Sequence, residues 1–364
     1  MKNTDNNLID PTIQSMRIHY IPQISQENSL ITPVNITEYL QRRHKKQKFM
    51  TNIPISRLFY LLERERPLIS IARQIHLSEA IELITGTFIP ENIREYRGLL
   101  LNFERSMTYF YIFHKFFNFL SHYEMAKIAY TGYFSFQRIL ETLWQFRFPW
   151  GIVRTGGVLK SICPTVIPEI QKLISSQQKC AWKIAKFIEK NSEMKKKLIS
   201  LETLKVEEAV KLGITGPIAR SLGVIPSNNS IKSDLARKSA ISLIQNTYTN
   251  DGNLWAVFRV CYTELILSLE RALQLLKPYS LKSQKELKNS IDGEATSSFT
   301  TTLGQTHLTV SISNNQASYF NYIPPEMVNM AGITRILTNY LNSSIFLIFL
   351  FFDPRIIMNQ GEKI

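Results

Sequence analysis

Hydrophobic residues recur at helical spacing over most of the chain. From Leu58 to Ile84 they fall three and four apart, with an interruption at Pro67, and Gly86 stands where that helix should stop. Pro90 restarts the chain, and residues 91–148 are strongly helical and aromatic: Leu99, Leu100, Phe103, Met107, Phe110, Phe113, Phe116, Phe117 and Leu120 leave few polar faces. A helix this apolar is buried in a bundle or against partners. The aromatic stripe reads as core rather than as a stacking platform for bases, because no basic residues are interleaved with it. Residues 166–200 predict a helix with a polar, basic face, and Leu254 to Leu276 a strongly apolar one. Val153 to Val158 reads as a connector, and residues 277–300, rich in Ser and Lys, as a loop. Residues 305–323 alternate as a β-hairpin: Leu308, Val310 and Ile312, a turn at Ser313–Gln316, then Tyr319 to Ile323. Pro324-Pro325-Glu326 opens a further helix from about Met327 to Tyr340.

The implied fold class is mainly α with a small β part (α+β). Residues 1–50 form a polar, partly extended N-terminal segment, in which 17–24 and 29–36 could pair as a small hairpin. Residues 51–280 form a helical core, and 281–364 a small α+β region. The most apolar run, Ile345 to Phe352, is shorter than the roughly 20 residues that span a bilayer and reads as a buried strand or core segment. Within residues 206–276, Gly213, Gly216 and Gly223 mark places where the backbone can turn or be closely approached. Pro217 suits a first helical turn, from which Arg220 would project. On pattern alone this is a helix–turn–helix corner of an α core.

Composition adds a direction. The net charge is +14 and the pI about 9.6, which suggests an anionic partner: nucleic acid, an anionic membrane surface or acidic protein. The densest basic runs are Arg42 to Lys48 and Lys195-Lys196-Lys197, and such runs are ordinarily solvated faces. Cys163, Cys180 and Cys261 are far apart and form neither a disulfide framework nor a metal-type pair. The polar, acidic start predicts no signal peptide. Walker and dinucleotide loops, a nucleophile elbow and a zinc helix are all missing from the sequence.

Several blocks, taken in order, carry a resemblance. They are Glu63-Arg64, Ala80-Ile81-Glu82 with Gly86, Pro90-Glu91 with Arg97 and Glu104-Arg105, Arg154-Thr155-Gly156-Gly157-Val158, Gly213 to Val224 with Arg220, Glu264, and Ile323-Pro324-Pro325-Glu326 with Asn329 and Asp353-Pro354. This order resembles the large subunit of energy-converting [NiFe] hydrogenases of the formate-hydrogenlyase kind, and equally the 49 kDa (D) subunit of NADH:quinone oxidoreductase. It covers roughly residues 40–355. The resemblance implies a helical core bundle, a nickel–iron centre held by two Cys pairs in the hydrogenases, and a quinone pocket in the same space in complex I.

The departures carry the functional expectation. The four thiolate positions fall on Arg66, Ile69, Arg355 and Met358. A nickel–iron centre needs soft thiolates, so no metal is expected here. The tyrosine implied for a quinone head falls on Pro67, and the implied His-x-His on Met107-Thr108-Tyr109. Arg66, Asp353 and Arg355 are the candidates for any chemistry, with Asp353, Glu63 or Glu65 available to pair with the arginines. Glu63, Arg64, Arg97, Glu104, Arg105, Arg154, Gly213, Gly216, Arg220 and His307 match pocket or bracing positions of the family, and His76 reads as a structural helix histidine.

The resemblance thus implies a subunit of a membrane-associated electron-transfer complex. It would lie at the cytoplasmic face, lacking a membrane span and binding no cofactor of its own, with a possible quinone in its pocket. Its partners would be a small iron–sulfur subunit and antiporter-like membrane subunits, with no nucleic acid. A second expectation is a non-catalytic structural or assembly subunit with a plugged site. The third is a basic helical protein that binds nucleic acid.

Overall fold

The computed structural model describes residues 49–224, 252–279 and 290–337 together with Phe351. The expected N-terminal hairpin, Asp353, Arg355 and Met358 lie outside these residues. The elements run β1 (Ile53–Pro54), α1 (Ile55–Glu65), α2 (Ser70–Thr85), α3 (Glu91–Phe119), α4 (Tyr123–Trp144), β2 (Val153–Arg154), β3 (Gly157–Val158), α5 (Ile167–Lys190), α6 (Ser192–Ile199), α7 (Val206–Lys211), α8 (Pro217–Ser221) and α9 (Leu254–Leu275). They continue with β4 (Gly293–Thr300), β5 (Gln305–Ser313), β6 (Gln316–Ile323), α10 (Pro325–Val328) and α11 (Met330–Leu337). This is a mainly α fold with a small antiparallel β part.

Two apolar clusters explain the arrangement. The larger is helical: α3 packs on α4 and α9, and α5 on α4 and α9. The aromatic stripe lies inside it, with Phe103, Phe110, Phe113, Phe116 and Phe117 all buried and the Phe116 ring tilted against Phe258 at 4.0 Å between ring centres. The smaller cluster joins Leu58, Phe59 and Leu62 of α1 and Leu77, Ala80 and Ile81 of α2 to the sheet residues Leu308, Val310, Ile312 and Phe320. The sheet runs β1-β6-β5-β4, every pair antiparallel. Along β5 burial alternates, so Thr306, Leu308, Val310 and Ile312 face the helices.

Helix α2 stands between the two clusters and is buried on nearly every side, from Ser70 through Glu82. It ends as its sequence implies: Gly86 takes φ 64° and donates its N–H to the Glu82 carbonyl.

Four boundaries differ from the sequence reading. Residues 293–300 form strand β4 rather than loop: Ser and Thr dominate the segment, but its backbone pairs in register with β5 from Gly293↔Ile312 to Thr300↔Gln305. The long helical region after Pro90 is two helices, broken at Leu120–His122, where Ser121 takes φ 59°. The basic helix is divided at Asn191, whose side chain accepts from the Met194 N–H and caps α6. The last helix is split at Asn329, whose side chain accepts from the Thr215 N–H.

His76 clamps α2 to the sheet. Its two ring nitrogens lie 3.0 Å from the hydroxyls of Ser297 and Thr306, and its ring stacks on Phe299. Burial pushes its pKa down to about 3, against an ordinary 6.5. The unfolded chain therefore binds a proton between those values that the folded chain does not. Stability is full above pH 6.5 and falls as pH drops toward 3, with a slope of up to about 1.4 kcal/mol per pH unit from this group. Denaturant unfolding measured across that window should show the slope in the parent and its loss in His76→Gln; an equal slope in both would mean that His76 is not buried neutral.

Candidate functional site

The candidate residues cluster where α1, α2 and the end of the sheet meet. Arg66 sits at the corner between α1 and a short turn over Pro67–Ile69. The proline that follows pushes it into an extended conformation, φ −142° and ψ 92°. The side chain that results is buried, and its guanidinium donates to the carboxylate of Glu326 at the start of α10. The pair ties the helical core to the C-terminal region across 260 residues of sequence. Beside it Ile69 is 1% exposed and packs in the helical cluster.

A second buried carboxylate, Glu63, accepts from Arg64 at 2.5 Å, Arg154 at 3.1 Å and the backbone N–H of Gly151 at 2.9 Å. Glu65 pairs with the fully buried Arg73 at 2.7 Å, and that guanidinium lies 4.6 Å from the Tyr322 ring centre. Glu326 adds a carboxylate that the sequence reading did not offer to Arg66, while Glu63 meets Arg64 and Arg154, and Asp353 lies outside the described residues.

Three further groups brace α2 and α9. Glu104 of α3 accepts the N–H of Ile71 at 2.5 Å and of Ala72 at 3.2 Å, capping the orphan donors of α2's first turn from a neighbouring helix. Burial pushes its carboxyl up to about 8, opposed by those two N–H groups and by the charges of Arg105 and Arg73. At the other end of α2, Glu82 takes a forked pair from Arg97, 2.9 and 2.6 Å, and the Gly156 N–H at 2.9 Å. That fork is the strong geometry for a guanidinium and a carboxylate. Arg220 on α8 makes the same kind of contact with Glu264 of α9 at 2.5 and 3.1 Å and also reaches Tyr109 and the Thr302 carbonyl.

The glycine corner holds the loop before β5. The side chain of Asn329 accepts from the Thr215 N–H at 2.8 Å, and the Thr215 hydroxyl accepts from the Gln305 N–H at 3.0 Å.

Of the residues singled out from the sequence, Arg66, Glu63, Arg64 and Arg154 share the α1 corner, while Arg97, Glu104 and Arg220 brace separate junctions. Arg105 is buried beside Glu104. His307 lies half-buried on β5, opposite Ser298 and Ile323. Arg73 and Gln74 were not singled out. Gln74 accepts from the Ile152 and Val153 N–H groups and donates to the Pro149 carbonyl. Their signal was a polar residue inside an apolar helix.

Of the four positions that the resemblance assigns to thiolates, the two described ones offer no soft donor: a guanidinium engaged in an ion pair, and a packed isoleucine. They do not fit a nickel–iron centre. Among the described residues no group of three His, Cys, Asp or Glu could hold a metal ion.

Residues 135–227 match the family described as the 49 Kd subunit of respiratory-chain NADH dehydrogenase. That match spans 93 of the chain's 364 residues, a likeness to this family over about a quarter of the sequence. A search of curated proteins finds no match. Among solved structures, a chain of the membrane-bound sulfane sulfur reductase, an archaeal respiratory membrane complex, superposes with a TM-score of 0.72 at 20% identity, over 84% of this chain and 85% of that one. The matched segment runs from α4 through the glycine corner and so includes Arg154 and Arg220 of the bracing set.

The glycine corner is the test of this geometry. Gly216 takes φ 84° and ψ −161°, a region essentially reserved for glycine, and a Cβ there would lie 2.2 Å from the Leu303 carbonyl oxygen. Gly213 takes φ 63°, with nothing within 4 Å of a Cβ. Gly213→Ala should cost about 1 kcal/mol and Gly216→Ala roughly 3 kcal/mol or more in chemical unfolding; equal costs would contradict the close approach of the Leu303 loop.

Proposed function

We propose that this chain is the large-subunit component of a membrane-associated electron-transfer complex, and that it acts there as a scaffold around a filled corner rather than as a nickel centre. The observation that carries the reading is the Arg66–Glu326 pair beside Ile69, all three side chains buried, at the corner where the family's first thiolate pair would stand. Arginine and isoleucine bring no soft ligand, and an ion pair packed against an apolar side chain occupies the space. That packing supports the structural or assembly role over a quinone or acceptor pocket at this corner.

The family's bracing set supports the same reading. Glu82–Arg97, Glu63–Arg154 and Arg220–Glu264 are all formed, so the framework is kept while the ligand positions are not. The respiratory membrane complex named above supports assembly with other subunits. Among those, the reading includes a small iron–sulfur subunit and antiporter-like membrane subunits. Among the described residues no helix is long and apolar enough to cross a membrane, so attachment would run through partners or a surface contact at the cytoplasmic face.

Purification of a tagged chain from its native membranes tests the proposal. The expected outcome is co-purification with an iron–sulfur subunit and membrane subunits, with iron present and nickel far below one per chain. Stoichiometric nickel, or recovery of the chain as a lone monomer, would overturn it.

A further inference from the structure

The lysines of α5 take no part in the site, yet they are placed with order. Lys172, Lys179, Lys183, Lys186 and Lys190 are all exposed. Their separations of seven, four, three and four residues put them, at about 100° per residue, within roughly 60° of one another around the helix. The buried side chains of the same helix, Ile170, Ile174, Gln177, Ala181, Ile184, Ala185 and Ile188, lie on the opposite side. The stripe therefore stands as far from the core as the helix allows and runs for about 27 Å at 1.5 Å per residue.

Its sign is uniform. Exposed helix faces commonly alternate acidic and basic residues, whereas here no Asp or Glu lies between Lys172 and Lys186. The two carboxylates at the margins are turned aside: Glu169 lies within 3.3 Å of the Thr142 hydroxyl on α4, and Glu189 reaches Arg259 and Tyr262 on α9. On the flank of the stripe stands Trp182, 59% exposed, the one exposed large hydrophobic side chain of this helix. Beyond Asn191 the positive charge continues with the exposed Lys196 and Lys197 of α6.

We infer that this face of α5 rests on an anionic lipid surface. Three observations favour lipid headgroups over another polyanion. The cations are all lysine, compact point charges, with no arginine fork for the bidentate reading of phosphates or bases. The stripe is straight and has a single exposed aromatic, Trp182 on its flank, rather than the row of aromatics on which successive nucleic-acid bases stack. A tryptophan beside lysines is the composition that settles at a headgroup interface. The inference rests on α5 alone, so its failure would leave the proposed membership of a membrane complex standing, and the reverse also holds.

Sedimentation of the full chain with vesicles tests it. Vesicles of phosphatidylcholine containing phosphatidylserine should pull the chain down at low salt, and pure phosphatidylcholine vesicles should not. Binding should weaken as salt rises, and Trp182 emission should shift to the blue in the bound state. Replacing all five lysines by glutamine should abolish binding, each charge counting for roughly fivefold at low salt. Replacing all five by arginine should keep it, and a Lys127→Gln/Lys205→Gln/Lys211→Gln variant, which removes exposed charge elsewhere, should lose far less. A thermal melt equal to the parent's establishes that the glutamine variant is folded. Equal binding to neutral vesicles, equal loss in the two glutamine variants, or preference for a nucleic-acid duplex over the anionic vesicles would overturn the inference.

Discussion

A helix buried on nearly all sides must find a partner for every polar group it carries, and α2 is that helix. It separates a helical cluster from a sheet-backed one, so neither its first-turn N–H groups nor its polar side chains can turn to water. An unpaired polar group in such a place costs a few kcal/mol, and an unpaired charge considerably more. The main ones are answered from the surrounding elements: Glu104 on α3 caps the N-terminus, Glu65 on α1 meets Arg73, the β2 strand and the segment before it meet Gln74, β4 and β5 meet His76, and Arg97, also on α3, meets Glu82. These obligations fix how the elements sit around α2, which apolar packing alone would leave loosely specified.

The Arg66–Glu326 pair obeys the same rule at the edge of that framework. Burying two charges gains little net stability, because desolvation offsets most of the attraction, but removing either partner leaves a stranded charge. The pair therefore acts less as glue than as a requirement that α10 stay docked beside the turn after α1. A position implied by the resemblance to hold a thiolate carries a buried charge that is paired with Glu326. The lysines of α5 are the converse case, charges kept in water on the far face of a helix whose other face is fully buried.

Much of this was legible in sequence. Apolar spacing gave the helices, alternation gave β5 and β6, and Gly86 and Pro217 marked a helix end and a helix start as they stand in the structure. The order of short motifs gave the resemblance, because its glycines and arginines serve backbone and charge requirements of the fold. Strand β4 was hidden because Ser and Thr carry no apolar alternation, and its state is set by pairing with β5. Glu326 as a carboxylate for Arg66 was hidden for a similar reason. Spacing reports neighbours within an element, whereas Glu326 reaches Arg66 only once the sheet has brought the chain back. Gln74 was visible only as a polar residue in an apolar helix, which says that a partner exists without saying which.

A double-mutant cycle on Arg66 and Glu326, read by chemical unfolding, tests the central claim most directly. With the pair buried as described, Arg66→Met and Glu326→Met should each cost about 3–5 kcal/mol, and the double variant should recover to near the parent's stability. Small and additive costs would contradict the account, since they would mean that the corner is open to water and free to hold something else.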